Sequence, residues 1–84
     1  MNLSLFILPR AQKELAQLNS VAYSRVREAI RELAKDPRPP GCLKLTGRDG
    51  WRLRVGDFRV VYEIDDKQCN VTVLHIGHRR DVYR

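Results

Sequence analysis

Cysteine is scarce in this chain, and Cys42 and Cys69 lack the close spacing typical of zinc ligands. Two cysteines do not make the disulfide framework of a small secreted protein, so we read both as thiols in a reducing cytoplasm. Apolar runs are short, and none approaches the ~20 residues that a membrane span needs. The scattered acidic residues and the two histidines predict no metal site, and no motif predicts a cofactor.

The composition is that of one small folded domain with an excess of positive charge. The 84 residues suffice for a single hydrophobic core, so we predict one domain over residues 1–84. Hydrophobic residues make up 43% and charged residues 31%, which is typical of a folded protein. Sixteen Lys and Arg against ten Asp and Glu give a net charge of +6, which favours a polyanionic partner such as nucleic acid.

Residues 51–64 predict a β-hairpin with one apolar face and one basic face. Apolar and basic side chains alternate along residues 51–55, which points them to opposite sides of a strand. Gly56 and Asp57 then supply a two-residue turn. The next strand alternates in the same way, so the basic face carries the guanidiniums of Arg52, Arg54 and Arg59. Because a guanidinium forks onto phosphate oxygens, this face suits a phosphodiester backbone.

The remaining periodicities predict two helices and two further strands. Pro9 suits the first turn of a helix whose apolar positions continue to Leu18. Asn19 is placed to cap a second helix over residues 21–34. Residues 3–7 and 69–76 alternate as strands, and the later one has apolar residues on both faces, as a central strand does. The predicted fold is α+β in the order β-α-α-β-β-β, with two helices packed on a mainly antiparallel sheet.

Several ordered motifs together resemble one family over nearly the whole chain. They are the helix-helix-meander order, Lys44-Leu45-Thr46-Gly47, Trp51-Arg52-Leu53-Arg54, Phe58-Arg59-Val60-Val61-Tyr62 and the ending Ile76-Gly77-His78-Arg79-Arg80-Asp81-Val82-Tyr83. This set is similar to the RelE branch of the RelE/ParE toxin superfamily. The resemblance implies a small basic ribonuclease of a type II toxin–antitoxin module, which cleaves messenger RNA in the ribosomal A site.

The resemblance also implies a reaction and roles for five residues. The ribose 2′-hydroxyl attacks the adjacent phosphorus without a metal ion, which releases a 5′-hydroxyl and leaves a cyclic phosphate. Two basic residues hold the RNA backbone and assist attack, two arginines contact the scissile phosphate and the leaving oxygen, and a tyrosine orients or stacks on the substrate. The two basic residues that hold the backbone are Arg52 and Arg54. Arg59 contacts the scissile phosphate, Arg79 lies near the leaving oxygen, and the tyrosine is Tyr83.

The base that accepts the 2′-hydroxyl proton is not evident from the sequence. RelE toxins often carry lysine where this chain has Arg52 and Arg54, and a guanidinium stays charged at neutral pH. His78, at the end of the last strand, is a candidate acid or base. His75 shares a face with Val71 in the predicted strand, and we expect it to be a structural histidine. The residues predicted to bind substrate are Lys44, Arg48, His78 and Arg80.

The resemblance implies two partners in the cytoplasm, with no role for a membrane. One is an antitoxin that wraps the toxin and through which the complex binds operator DNA, and the other is the ribosome with its mRNA. A basic face suits neutralisation by an acidic or amphipathic segment that folds on binding. Two alternatives remain open: a ParE-type toxin that inhibits DNA gyrase without catalysis, and an inactive RNA-binding relative.

Overall fold

The computed structural model describes residues 2–47 and 49–78, which contain two helices and five strands. In chain order these elements are β1 (Ser4–Ile7), α1 (Pro9–Ala16), α2 (Ser20–Leu33), β2 (Leu43–Lys44), β3 (Trp51–Val55), β4 (Phe58–Asp65) and β5 (Asn70–His78). The predicted α+β class is confirmed, with one correction to the order, because β2 is an additional strand. Its two residues are too few to show the alternation by which a strand is recognised.

The strands form one sheet in the order β1-β5-β4-β3-β2. Strand β1 pairs with β5 in parallel, and the other neighbouring pairs are antiparallel. Strand β5 lies between β1 and β4, which confirms the prediction of a central strand. The β3–β4 connection is the predicted two-residue turn, in which Gly56 has a φ of 60°. A positive φ at the first turn position suits glycine and matches the twist of a hairpin.

The local sequence explains where each helix begins. Pro9 is the first residue of α1, where a backbone N–H is not needed. Asn19 caps α2 as predicted, and its side-chain Oδ1 accepts a hydrogen bond of 2.9 Å from the Ala22 N–H. Helix α2 ends at Leu33, shortly before Pro37. Within the described residues, no helix is long and apolar enough to cross a bilayer.

Both helices pack on one face of the sheet, and the hydrophobic core lies between the helices and that face. Positions 26, 30 and 33 place three apolar side chains of α2 on one stripe. Each fully buried Val, Leu or Ile contributes about 1.5–3 kcal/mol relative to an exposed one. We call the sheet face turned away from this core the outer face. The core residues with at most 2% exposure are Ala11, Val26, Ile30, Leu33, Val60, Tyr62, Val71, Val73 and Ile76.

A β-bulge lies in the middle of β5, where that strand pairs with β4. Val61 pairs with His75, but the next residue of β4, Tyr62, pairs with Val73. Leu74 is therefore an extra residue on β5, and the ladder is interrupted there. The alternation of side chains between the two faces changes phase at this point.

The change of phase corrects two predicted orientations. Uninterrupted alternation predicts Ile76 on the outer face, whereas it is 2% exposed and belongs to the core. The same alternation predicts His75 on the core face with Val71, whereas His75 pairs with Val61, which lies between two core residues and therefore faces outward. Because both faces of β5 carry apolar residues, the sequence pattern contains no sign of the bulge.

Candidate nucleic-acid interface

Three arginines lie on the outer face of the sheet, on adjacent strands. Arg52 and Arg54 belong to β3 and Arg59 to β4, and each stands between residues that pack against the core. In the ladder Arg54 is directly opposite Arg59, and Arg52 is opposite Val61. Directly opposed residues share a face, with Cβ atoms about 4.5–5.5 Å apart. The structure therefore brings Arg52, Arg54 and Arg59 together.

The opposed guanidiniums carry an electrostatic cost in the folded protein, since like charges directly across two strands destabilise a sheet. Arg54 is exposed, and its Nε–H donates a hydrogen bond of 3.1 Å to the Gly56 carbonyl, which holds the side chain at the hairpin end. Arg59 is partly buried on the neighbouring strand. An anion bound by both guanidiniums offsets the repulsion between them. The register thus places two positively charged side chains next to each other on the outer face.

A further guanidinium approaches the hairpin from α2. A Cβ placed on Gly56 would lie 3.3 Å from Nη1 of Arg25, so Arg25 packs against the turn. Arg25 also lines a cleft of about 550 Å³ between the start of α2 and the residues around Asp57. Sequence reasoning missed this contribution, because helical spacing does not show which exposed residue of α2 meets the hairpin. The hairpin end of the sheet thus gathers positive charge from three elements.

Glu14 and His75 form a second constellation, at the edge of the sheet. Nδ1 of His75 lies 2.9 Å from one oxygen of the partly buried Glu14 carboxylate and 2.8 Å from the other, and the Ile76 N–H donates a hydrogen bond of 2.9 Å to the same carboxylate. Nε of Arg10 lies 3.4 Å from the same carboxylate. Because β1 pairs with β5 only as far as Val73, Glu14 supplies the acceptor that a strand would otherwise supply. Sequence reasoning missed this contact between residues 61 positions apart.

Lys44 and His78 lie on the core side of the sheet, away from the arginines. Lys44 is opposite Trp51, and its Nζ is 5.4 Å from the centroid of that ring. His78 is opposite Phe58, and the two rings meet edge to face with centroids 5.7 Å apart. The register of β2 and the bulge in β5 are the reasons for these orientations. The structure therefore does not bring these two predicted substrate-binding residues to the outer face.

Four other predicted site residues lie outside the described residues. One precedes β3 in the chain, and the other three follow β5. Their roles in binding or catalysis stay predictions from the sequence. These residues are Arg48, Arg79, Arg80 and Tyr83.

At the opposite end of the sheet, polar contacts hold the connector that follows α2, the segment that includes Pro37 and Arg38, against the strands. The Tyr62 hydroxyl donates a hydrogen bond of 2.8 Å to the Pro37 carbonyl, and burial raises the pKa of Tyr62 well above its usual value. Arg38 donates hydrogen bonds of 3.0 and 3.4 Å to Asp66, and its guanidinium is 5.2 Å from the Trp51 ring centroid. The hydrogen bonds from Arg38 hold the pKa of Asp66 below its usual value. We therefore interpret these contacts as stabilising the fold.

Comparisons with known proteins agree with this geometry. The family model described as ParE toxin of type II toxin-antitoxin system, parDE, matches residues 5–83. Toxin RelG of Mycobacterium tuberculosis is 32% identical over 76 residues, which cover 88% of this chain and 87% of RelG. A chain of the archaeal RelE–RelB complex of Pyrococcus horikoshii is 29% identical with a TM-score of 0.85, over 96% of this chain and 99% of that one. The chain belongs to the RelE branch of the RelE/ParE toxin superfamily.

The similarity of this RelE-branch toxin to solved structures extends to the bacterial members. The isolated Escherichia coli RelE toxin is 28% identical with a TM-score of 0.79, over 96% of this chain and 90% of RelE. The protein is therefore a toxin of the type II toxin–antitoxin class, and the resemblance of its motifs to RelE is confirmed. The family match includes β2 to β5 and all of β1 except its first residue. The matched residues therefore include Arg52, Arg54 and Arg59.

Proposed function

We propose that this RelE-branch toxin is an endoribonuclease that cleaves messenger RNA in the ribosomal A site and so stops translation. The observation that carries the proposal is the direct opposition of Arg54 and Arg59 on the outer face, with Arg52 beside them. Two guanidiniums on adjacent strands favour a ligand with two closely spaced anionic oxygens, and the non-bridging oxygens of a phosphodiester have this arrangement. Similarity to RelG and to RelE supports the assignment.

In the proposed reaction the ribose 2′-oxygen bonds to phosphorus, and the bond from phosphorus to the 5′-oxygen breaks. Arg59 and Arg54 bind the non-bridging oxygens and stabilise the negative charge that develops on them. Removing a single preorganised donor of this kind typically lowers a rate by ~10²–10³. Arg52 holds the backbone of the adjacent nucleotide. The resemblance to RelE toxins further implies that Arg79 lies near the leaving oxygen and that Tyr83 orients or stacks on a base, a contact typically contributing ~1–3 kcal/mol.

Dependence on the ribosome is part of the proposal. The three outer-face arginines supply positive charge but stay protonated at neutral pH, so none of them is a good base. Holding the 2′-hydroxyl in line with phosphorus supplies a large share of the barrier reduction in such a reaction. We expect the ribosome to hold the mRNA in this geometry. Free RNA of the same sequence is then cleaved slowly.

An antitoxin partner belongs to the same proposal. The similar structures from Pyrococcus horikoshii and Escherichia coli include RelE–RelB complexes. For this chain we expect a small antitoxin with an acidic or amphipathic segment that folds over the basic surface, because like charges on the toxin are then neutralised. In the cytoplasm the complex binds operator DNA through the antitoxin.

A second candidate function is favoured by the family model, whose description names ParE. A ParE-type toxin inhibits DNA gyrase by binding, and such a role needs no phosphate site on the sheet. An inactive relative that only binds RNA needs the arginines but no cleavage. The three possibilities differ in what they do to mRNA, to translation and to DNA supercoiling.

The experiment that tests the proposal is primer-extension mapping of a reporter mRNA in a bacterial translating extract, with and without the purified toxin. The same mRNA without ribosomes is treated in parallel. Arg27→Ala, which removes an exposed arginine of α2, is the matched control for a general loss of charge. We expect cuts within the reading frame only when ribosomes are present, and the same cuts with the control variant.

Intact mRNA with normal translation contradicts the proposal. A supercoiling assay with purified gyrase then tests the ParE-type alternative. Blocked translation without any cut instead identifies an RNA-binding or ribosome-binding protein that is not a nuclease. Cuts in free RNA at the rate seen on the ribosome overturn the proposed dependence on the ribosome.

A further inference from the structure

The contact with Glu14 fixes both the position and the tautomer of His75. Nδ1 of His75 is 2.9 Å from Oε1 and 2.8 Å from Oε2 of the carboxylate. The carboxylate also accepts the Ile76 N–H and lies beside Arg10, so it is surrounded by donors. Because an ionised carboxylate only accepts hydrogen bonds, Nδ1 carries the hydrogen. In the neutral ring Nε2 is then an acceptor with a lone pair.

The ladder places His75 on the same sheet face as the arginines. His75 is opposite Val61, which in turn is opposite Arg52. Two residues further along β5, Gly77 is opposite Arg59, so His75 is the diagonal neighbour of Arg59. Diagonal neighbours on adjacent strands are about 7–8 Å apart, within the span of a bound ribose and phosphate.

Charged groups from three elements surround the imidazole. Helix α1 contributes the Glu14 carboxylate, with Arg10 beside it. Strands β3 and β4 contribute Arg52, Arg59 and Glu63 on the outer face. Strand β1, the other neighbour of β5, carries no charged residue. When the imidazole takes up a proton, the adjacent Glu14 carboxylate stabilises the resulting positive charge.

We propose that His75 is the general base of the cleavage reaction and that Glu14 is its positioning residue, an inference that rests on the proposed function. Nε2 takes the proton of the ribose 2′-hydroxyl as the 2′-oxygen bonds to phosphorus. The bond from phosphorus to the 5′-oxygen breaks, its electron pair stays on the 5′-oxygen, and that oxygen takes a proton from water. The imidazolium then gives its proton to the hydroxide so formed.

This assignment fills the role that the outer-face arginines do not fill, since a guanidinium stays charged at neutral pH. It also explains why the bulge in β5 matters, because uninterrupted alternation would turn His75 toward the core. The bond from Glu14 to the Ile76 N–H closes the sheet edge and accounts for the carboxylate as part of the fold. That bond does not explain why an imidazole lies in line with Val61 and Arg52 across the outer face, with its Nε2 as an acceptor.

The test is single-turnover cleavage of mRNA on purified ribosomes by the wild type, His75→Ala and Glu14→Gln, between about pH 5.5 and 8.5. Glutamine keeps an acceptor for Nδ1 but removes the negative charge. Thr72→Val, on the same strand and face as His75, is the control for disturbance of β5. Circular dichroism and thermal unfolding show whether each variant is folded. Free imidazole is added to His75→Ala at increasing concentration.

We expect His75→Ala to cleave at least ~100-fold more slowly than the wild type, as is typical when a general base is lost. Added imidazole restores part of the rate. The wild-type rate falls toward acid pH, because a protonated imidazole cannot accept the 2′-hydroxyl proton, and this dependence disappears in His75→Ala. Glu14→Gln loses less activity and changes the pH profile, whereas Thr72→Val keeps the wild-type rate and profile.

The outcomes separate this inference from the proposed function. Failure of the wild type to cleave overturns the proposed function, and the inference with it. Cleavage by the wild type together with an unchanged rate and pH profile in a folded His75→Ala overturns only the inference. A slow His75→Ala variant that imidazole does not rescue, and whose pH profile matches that of the wild type, shows that His75 is structural and likewise overturns it.

Discussion

The two faces of the sheet differ in what their side chains contribute to stability. On the core face Val60, Tyr62 and Val73 are fully buried, and the Tyr62 hydroxyl has a carbonyl acceptor. On the outer face Arg54 and Arg59 oppose each other, an arrangement that favours the unfolded chain. The first face therefore holds most of the hydrophobic core, and the second places two like charges opposite each other. The comparison teaches where to look for function, because opposed positive charges on an outer face are the feature on which the proposed RNA site rests.

The largest expected loss of stability comes from the core that covers the first face, to which Ile30 of α2 contributes. Ile30→Ala removes a side chain that is 1% exposed, and such a change in a core typically costs about 2–5 kcal/mol. Leu43→Ala, at a position 53% exposed, is the control and is expected to stay within about 0.5 kcal/mol. Urea unfolding of both variants measures the difference. Equal losses would show that the helices do not cover the face as described.

The hydroxyl of Tyr62 gives the next largest effect. Tyr62→Phe removes its hydrogen bond to the Pro37 carbonyl, which we expect to cost about 0.5–1.5 kcal/mol near pH 7. Because burial raises the pKa of Tyr62, its favourable contribution is present below the ordinary tyrosine pKa of ~10 and is lost as the pH rises above it. Urea unfolding at about pH 8 and pH 11 should therefore show a smaller alkaline loss in the variant. A loss as steep as that of the wild type would contradict the assignment.

The smallest effect is expected at the exposed pair of Arg38 and Asp66. The hydrogen bonds from Arg38 lower the pKa of Asp66, so their contribution is present above the ordinary carboxyl pKa of ~3.9 and is lost as the pH falls through the lowered value. Asp66→Asn should lower the melting temperature slightly at about pH 7 and not at about pH 2. A drop as large as that of Ile30→Ala would show that the connector is part of the core.

The sequence predicts those parts of the fold that depend on local rules. Such rules act within a few positions of the chain. They correctly predict the start of α1 at Pro9, the cap of α2 at Asn19 and the hairpin within residues 51–64. Strand β2 and the bulge at Leu74 escape prediction. The first is too short for a pattern, and the second is hidden because both faces of β5 are apolar.

The candidate site likewise has one part that the sequence predicts and one part that it does not. Arg52, Arg54 and Arg59 come together by alternation alone, so the sequence suffices to place them on one face. The contact of Glu14 with His75 depends on where β1 ends and on the bulge, which are properties of the assembled sheet. No local pattern encodes such a contact, and it becomes visible only in three dimensions.

The most direct test of the central claim is a paired measurement on Arg59→Ala, with Arg27→Ala as the charge-matched control. Its urea unfolding free energy and its rate of mRNA cleavage on ribosomes are determined on the same preparation. We expect cleavage to fall by about 10²–10³, as for the loss of a preorganised donor, while stability stays within about 1 kcal/mol of the wild type. A folded Arg59→Ala variant that cleaves mRNA at the wild-type rate would contradict the account.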